Sequence, residues 1–157
     1  MRGVLAALFF LTSALGLAAE LRGVVVAVTD GDTLTVLVAK RQVKVRLADI
    51  DAPESKQPFG TRSRQSLAAI CFNMEARLET QGKDRYGRTI ATVHCAGVNA
   101  NAEQVRQGMA WVFDRYARRD SPLYAFQSEA QAARRGLWSD PSPVPPWQWR
   151  KGKGRDK

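Results

Sequence analysis

Between residues 21 and 47 the chain leaves little room for anything but a β-meander. Residues 21–28 are β-branched and apolar up to Asp30-Gly31, a turn-forming dipeptide, and residues 33–38 resume the same character. Two such runs around a turn predict a hairpin centred on Asp30-Gly31-Asp32. After residues 39–41, the aliphatics Val43, Val45 and Leu47 alternate with Lys44 and Arg46. A period of two turns the aliphatics to a core and Arg46 to the opposite, accessible face. Three strands therefore open the domain, and a strand-borne arginine faces outward.

The rest of the chain continues in short elements. Pro58-Phe59-Gly60 breaks the pattern, and residues 61–71 read as a helix burying Leu67, Ala68 and Ile70. Residues 76–80 and 89–94 read as a second hairpin with Asp84-Arg85-Tyr86-Gly87 at its turn. Asn99 or Asn101 can cap a short helix that Gly108 stops. Asp120-Ser121-Pro122 starts a last helix, with Leu123, Phe126, Ala130, Ala133 and Leu137 as one apolar stripe and Gly136 as its stop. Arg106 and Glu129 are expected to form a structural ion pair. Five strands with a helix between the third and fourth fit an OB-type barrel, and other small α+β folds share the pattern.

Residues 1–19 stand apart. Arg2 precedes an apolar run that ends in small residues near Ala18 and Ala19, the layout of a secretory leader. The run falls short of the about 20 apolar residues that a spanning helix needs. The expected organisation is a leader over 1–19, one domain over 20–140, and a Pro- and Trp-rich basic tail over 141–157, read as extended. After loss of the leader the expectation is a secreted or periplasmic protein without membrane insertion. Lysine and arginine number 24 against 15 acids, a formal charge of +9. Such an excess favours polyanions through counterion release. Cys71 and Cys95 are the two cysteines; in an oxidising compartment they are a disulfide candidate, with two buried thiols as the alternative.

The candidate chemistry lies in three short motifs: Thr29-Asp30-Gly31-Asp32-Thr33, Val45-Arg46-Leu47-Ala48-Asp49-Ile50-Asp51-Ala52-Pro53-Glu54, and Asp84-Arg85-Tyr86-Gly87-Arg88. Each alone is an ordinary turn. Together they supply three carboxylates and two guanidiniums. Carboxylates can hold a hard cation and leave one free as a base, and guanidiniums can grip one phosphate. Histidine chemistry is restricted by inventory, because His94 is the sole histidine; two-histidine ribonuclease mechanisms fail, and a zinc site would want more ligands.

These motifs, in this order and spacing, closely resemble the staphylococcal-nuclease-like (thermonuclease) family. The likeness spans about residues 21–138 and extends to Val105-Arg106-Gln107-Gly108-Met109-Ala110, Ser128-Glu129-Ala130-Gln131 and Leu137-Trp138-Ser139. It implies an α+β fold, a five-stranded OB barrel with three helices, and calcium-dependent cleavage of DNA and RNA leaving mainly 3′-phosphate ends. By the same resemblance Asp32 and Asp51 ligate calcium with the backbone carbonyl of Ala52, where the family often has Thr. Asp30 stands behind them. Glu54 matches the acid that activates or orients the attacking water, and Arg46 and Arg88 match the pair that binds the scissile phosphate. Arg85, Tyr86 and Tyr116 match positions that line the substrate pocket. Residues 55–60 are shorter than the flexible loop bordering the cleft in the staphylococcal member, a departure that bears on turnover and base preference.

Three further expectations complete this reading. The protein is a monomer. A rival class is the non-catalytic nucleic-acid-binding OB module, which loses the acids that are present here. Trp147, Trp149 and the basic residues after them add non-specific grip on nucleic acid.

Overall fold

A computed structural model describes residues 20–152, so the leader expected over residues 1–19 lies outside the described residues. In chain order the elements are β1 (Glu20–Asp30), β2 (Thr33–Val38), β3 (Arg41–Leu47), β4 (Ile50–Asp51), α1 (Gly60–Cys71), β5 (Glu75–Lys83) and β6 (Thr89–Cys95). There follow β7 (Val98–Asn99), α2 (Ala100–Arg106), β8 (Trp111–Val112), α3 (Leu123–Ala132), a 3-10 turn (Gly136–Ser139) and α4 (Pro146–Gly152). The five long strands make a closed mixed barrel. β1 to β3 run as the expected meander, β1 also pairs with β5, and β5 with β6. β6 then closes parallel onto β3, through Val45↔Thr89, Arg46↔Ile90 and Leu47↔Ala91. Irregularities in the β1–β2 register, at Val25/Ala27 and Val28/Asp30, bend β1 around the barrel.

The inward residues follow the strand period: Val25, Leu34, Val36, Val45, Leu78, Ala91 and Val93 are fully buried. α1 adds Leu67 and α2 adds Val105 to the same core. α2 starts where the asparagines indicated. Asn99 caps it by accepting the Ala102 N–H at 3.0 Å. Asn101 instead points inward, accepting from Val93 N and donating to the carbonyls of Ala48 and Ala91. A buried amide with three backbone partners seals a place where the ladder ends, and each such group would be costly unpaired.

Three expectations need correction. The last helix ends at Ala132, and Ala133 is exposed, because Arg134 takes a positive φ of 50° that ends the helical stripe before Leu137. Arg106 pairs with Glu103 at 2.8 Å and lies over the Phe126 ring at 4.1 Å, so Glu129 is not the partner assigned to it. Residues 141–152 are not an extended tail. They fold back, and α4 adds a fourth α-helix to the three expected. Pro146 is buried, and Trp147 stacks on Phe113 at 5.3 Å with planes 10° apart.

Cys71, the last residue of α1, is disulfide-bonded to Cys95, the last of β6, and both are fully buried. The bridge spans a sequence separation of 24. Loop closure of that size restricts the unfolded chain by about 3.5 kcal/mol. Replacing both cysteines by alanine should therefore lower the urea unfolding free energy by roughly 3 kcal/mol or more. A loss below about 1 kcal/mol would show that packing alone holds α1 on the barrel.

Candidate active site

The Asp30-Gly31-Asp32 turn is held from three sides. Asp30 accepts the Asp32 N–H at 3.0 Å, which tightens the turn and orients the second aspartate. Gln104 of α2 donates to the Gly31 carbonyl at 2.6 Å, and Ser63 of α1 packs against Gly31. A Cβ at Gly31 would run into Ser63 and into the Ala52 side chain, so only glycine lets the two acid-bearing segments approach. Ala52 meets Asp32 through its backbone N–H, donating to Oδ2 at 2.6 Å.

Asp32 and Asp51 are both buried, at 6% and 1% exposure. Their shared partner is Arg46, which lies 3.2 Å from Asp32 Oδ2 and 3.0 Å from Asp51 Oδ1. The same guanidinium donates to the carbonyls of Leu47 and Ile50, so its fork is fixed by backbone as well as by charge. Burial pushes the Asp32 carboxyl up to about 6 against the pull of Arg46, with Asp30 adding to the rise. Burial also raises Asp51, opposed by the bond from Arg150 and reinforced by the charge of Asp32. Two desolvated acids that repel each other form a site where a positive ion is favourable.

Arg88 comes to the same rim from the second hairpin. Its Nη1 lies 3.4 Å from the Thr33 hydroxyl, which in turn donates to Asp32 Oδ1 at 3.1 Å. Its Nε donates to Asp84 Oδ2 at 2.7 Å. Asp84 Oδ1 also accepts the N–H groups of Tyr86 and Arg88. Burial acts to raise the Asp84 carboxyl, but the bonds from Arg88 and Tyr86 outweigh it and hold it below the ordinary range. Arg88 is thus positioned by its own turn, while Arg46 is positioned by the acids.

Glu54 is half-exposed above Asp51, and its N–H donates to Gln57 Oε1 at 3.1 Å. Gly60 packs beneath the Glu54 carbonyl, where a Cβ would collide with it. Tyr86 is exposed and lies between two guanidiniums, Arg85 at 4.7 Å and Arg88 at 5.6 Å from its ring centroid. Tyr116, also exposed, meets Phe113 edge-on at 5.1 Å and has Arg115 over its ring at 5.7 Å.

One residue enters the site that the motifs do not contain. Arg150 of α4 reaches Asp51 Oδ2 and Glu54 Oε1, each at 2.7 Å. These bonds raise its guanidinium pKa further against the opposing effect of burial. Its sequence signal is faint: Trp147 and Arg150 stand three apart, which places them on one face of a helical turn.

Among the described residues no group of three or more His, Cys, Asp or Glu gathers as a metal cage. Asp32 and Asp51 still fit a hard cation that takes few protein oxygens and completes its shell with water and substrate. Soft metals lack the nitrogen or sulfur they prefer here.

Carboxylates and guanidiniums on one rim of an OB barrel define a phosphodiester-cleaving class of site. Residues 44–140 match the family described as Staphylococcal nuclease homologue. The chain is similar to the Micrococcal nuclease of Shigella flexneri, 46% identical over 85% of this chain and 82% of that protein. It is similar to Protein ParB of Escherichia coli, 47% identical over 85% of this chain and 81% of that one. An Uncharacterized endonuclease of Escherichia coli O157:H7 is 40% identical over 96% of this chain and 98% of its own length. The chain belongs to the staphylococcal nuclease homologue family and is a nuclease, a hydrolase.

Removing the Asp84 carboxylate should loosen Arg88 without touching the acids. Asp84→Asn is expected to lower kcat/KM on the order of tenfold to a hundredfold, the scale of a misplaced catalytic group. The sign of its pH effect follows from the depressed carboxyl. Its contribution to stability is present above the unfolded value of about 3.9 and is lost as pH falls through the lower folded value. Wild type should therefore lose more stability than Asp84→Asn as pH drops below about 4. Parallel acid melting curves for the two proteins would contradict this.

Proposed function

We propose that the protein is an exported, calcium-dependent endonuclease that hydrolyses DNA and RNA and leaves 3′-phosphate ends. The observation that carries the proposal is Arg46 bridging Asp32 and Asp51 while Arg88 reaches the same edge through Thr33. Asp32 and Asp51, with the carbonyl of Ala52, would hold the calcium. Bound there, the ion supplies polarisation of the phosphate and offsets the charge that grows on it.

Arg46 and Arg88 bring planar donors to a phosphate at the rim and favour its more highly charged transition state. Glu54 takes a proton from water as the oxygen attacks phosphorus. The P–O5′ bond breaks, the 5′ oxygen takes up a proton, and the phosphate remains on the 3′ side. The exposed Tyr86, with Arg85 beside it, offers a stacking face for a base, and Tyr116 offers another. The leader-like residues 1–19 and the Cys71–Cys95 bridge support export to an oxidising compartment. The substrate partners are DNA and RNA, and the protein acts as a monomer.

The test is cleavage of heat-denatured DNA with calcium, with a chelator, and by Glu54→Gln in calcium. Calcium-dependent cutting that falls by a factor on the order of 100 to 10,000 in Glu54→Gln is expected. Full activity in Glu54→Gln would remove that residue from the mechanism. Undiminished cutting in chelator would remove the cation. DNA binding without cutting would assign the domain to the non-catalytic OB modules.

A further inference from the structure

The C-terminal segment is built into the site rather than trailing from it. Gln57 couples the two: its Oε1 accepts the Glu54 N–H, and its Nε2 donates to the Val144 carbonyl at 2.6 Å. Pro146 is buried, and the Trp147 ring is clamped between Phe113 at 5.3 Å and Trp111 at 5.9 Å. One helical turn later comes Arg150, whose two terminal nitrogens both reach Asp51 while one also reaches Glu54. Nη2 donates to Asp51 Oδ2 at 2.7 Å, and Nη1 to Glu54 Oε1 at 2.7 Å and Asp51 Oδ1 at 3.3 Å.

Asp51 then has little left to offer. A carboxylate has about four acceptor positions. Arg46 takes one at Oδ1, and Arg150 takes one at each oxygen. Arg150 also brings a positive charge to the place where a dication would need Asp51. Contact with Arg150 and full ligation by Asp51 therefore oppose each other. The same holds for Glu54: an oxygen accepting from Arg150 is not accepting from a water. Arg46 differs, because carbonyls of Leu47 and Ile50 anchor it beside the acids, whereas Arg150 is 45% exposed on a long, flexible stem. Its side chain can swing into solvent while Trp147 keeps the helix docked.

We propose that Arg150 is a further residue of the active site that sets its cation affinity, holding Asp51 and Glu54 until a divalent cation displaces it. This rests on the calcium reading of Asp32 and Asp51 given above. It assigns residues 141–152 a role different from non-specific grip: the tryptophans anchor a strap, and the strap delivers one guanidinium to the acids. Calcium loading then releases Glu54 for its water in the same event, so the acids become available together. At low cation concentration the site is kept neutralised and closed.

Calorimetric calcium titration of the protein with its C-terminal segment intact, without nucleic acid and with DNA binding measured separately, tests this on wild type, Arg150→Ala, Trp147→Ala and Asp51→Asn. Arg150→Ala should bind calcium about tenfold to a hundredfold more tightly, the scale of a charge-assisted bonded pair. Trp147→Ala keeps the guanidinium but loosens its anchor, and it should shift in the same direction by less. Asp51→Asn should abolish the binding. Equal affinity in wild type, Arg150→Ala and Trp147→Ala would overturn the proposal and leave the calcium site standing. Weaker calcium binding in Arg150→Ala would overturn it too. An unchanged calcium affinity joined to loss of DNA binding in Arg150→Ala would make Arg150 a phosphate ligand instead. Absence of calcium binding in every protein would sink this inference together with the calcium reading.

Discussion

Three residue pairs, Val45 with Thr89, Arg46 with Ile90 and Leu47 with Ala91, close the barrel in parallel between β3 and β6. Everything at the site depends on that seam. Arg46 belongs to the meander and Arg88 to the second hairpin, and neither hairpin alone would bring the two guanidiniums to one edge. Parallel pairing between such distant strands needs a long connection, here α1 and β5. The seam is short, so its end must be sealed by something other than more strand. Asn101 does this from α2 by bonding Val93, Ala48 and Ala91.

The seam also places buried charge where it is expensive. Burying Asp32 and Asp51 side by side opposes ionisation of both, and Arg46 only partly compensates. A core built for stability alone would put apolar residues there. The barrel instead holds the acids rigidly through Gly31, Gln104 and the Ala52 N–H. Under the calcium proposal, a cation would find these ligands already oriented and would relieve a repulsion that folding leaves in place. Function and instability share one origin in this arrangement, as in other sites with strongly shifted groups.

Local chemistry made much of this legible in the sequence. The hairpins around Gly31 and Gly87, the alternation that turns Arg46 away from the barrel core, and the α1 helix depend on neighbours a few residues apart. The burial of Arg46 against Asp32 and Asp51, which leaves its side chain only 15% exposed, does not follow from alternation. The three motifs carried the acids and arginines because each is a turn whose residue types have few alternatives. The unreadable parts all depend on side chains meeting across long separations. Gln104 looks like any polar helical residue until it bonds Gly31, 73 positions away. Asn101 looked like an alternative cap. Ala133 fitted an apolar stripe, and only the left-handed Arg134 shows that the helix stops first. Arg150 lies in a basic run whose composition suggests an extended tail gripping nucleic acid, whereas Trp147 and Pro146 find apolar partners that draw the run inward.

The short connection after Glu54 and the C-terminal strap are two sides of one solution. Residues 54–60 are wound tightly: Gln57 N–H donates to the Glu54 carbonyl, and Gly60 N–H to the Gln57 carbonyl. Gly60 then packs under Glu54 so closely that no Cβ fits. Such a turn cannot swing over a bound nucleotide as a long flexible loop would. Gln57, buried in it, instead offers its amide to Val144 and so fixes where the strap crosses. Cover for the acids is thereby moved from a loop beside Glu54 to a helix more than ninety residues later in the chain. A loop gates by its own backbone motion, which depends on many residues. A helix anchored by Trp147 and carrying Arg150 can gate through one side chain, with charge rather than chain flexibility setting the balance.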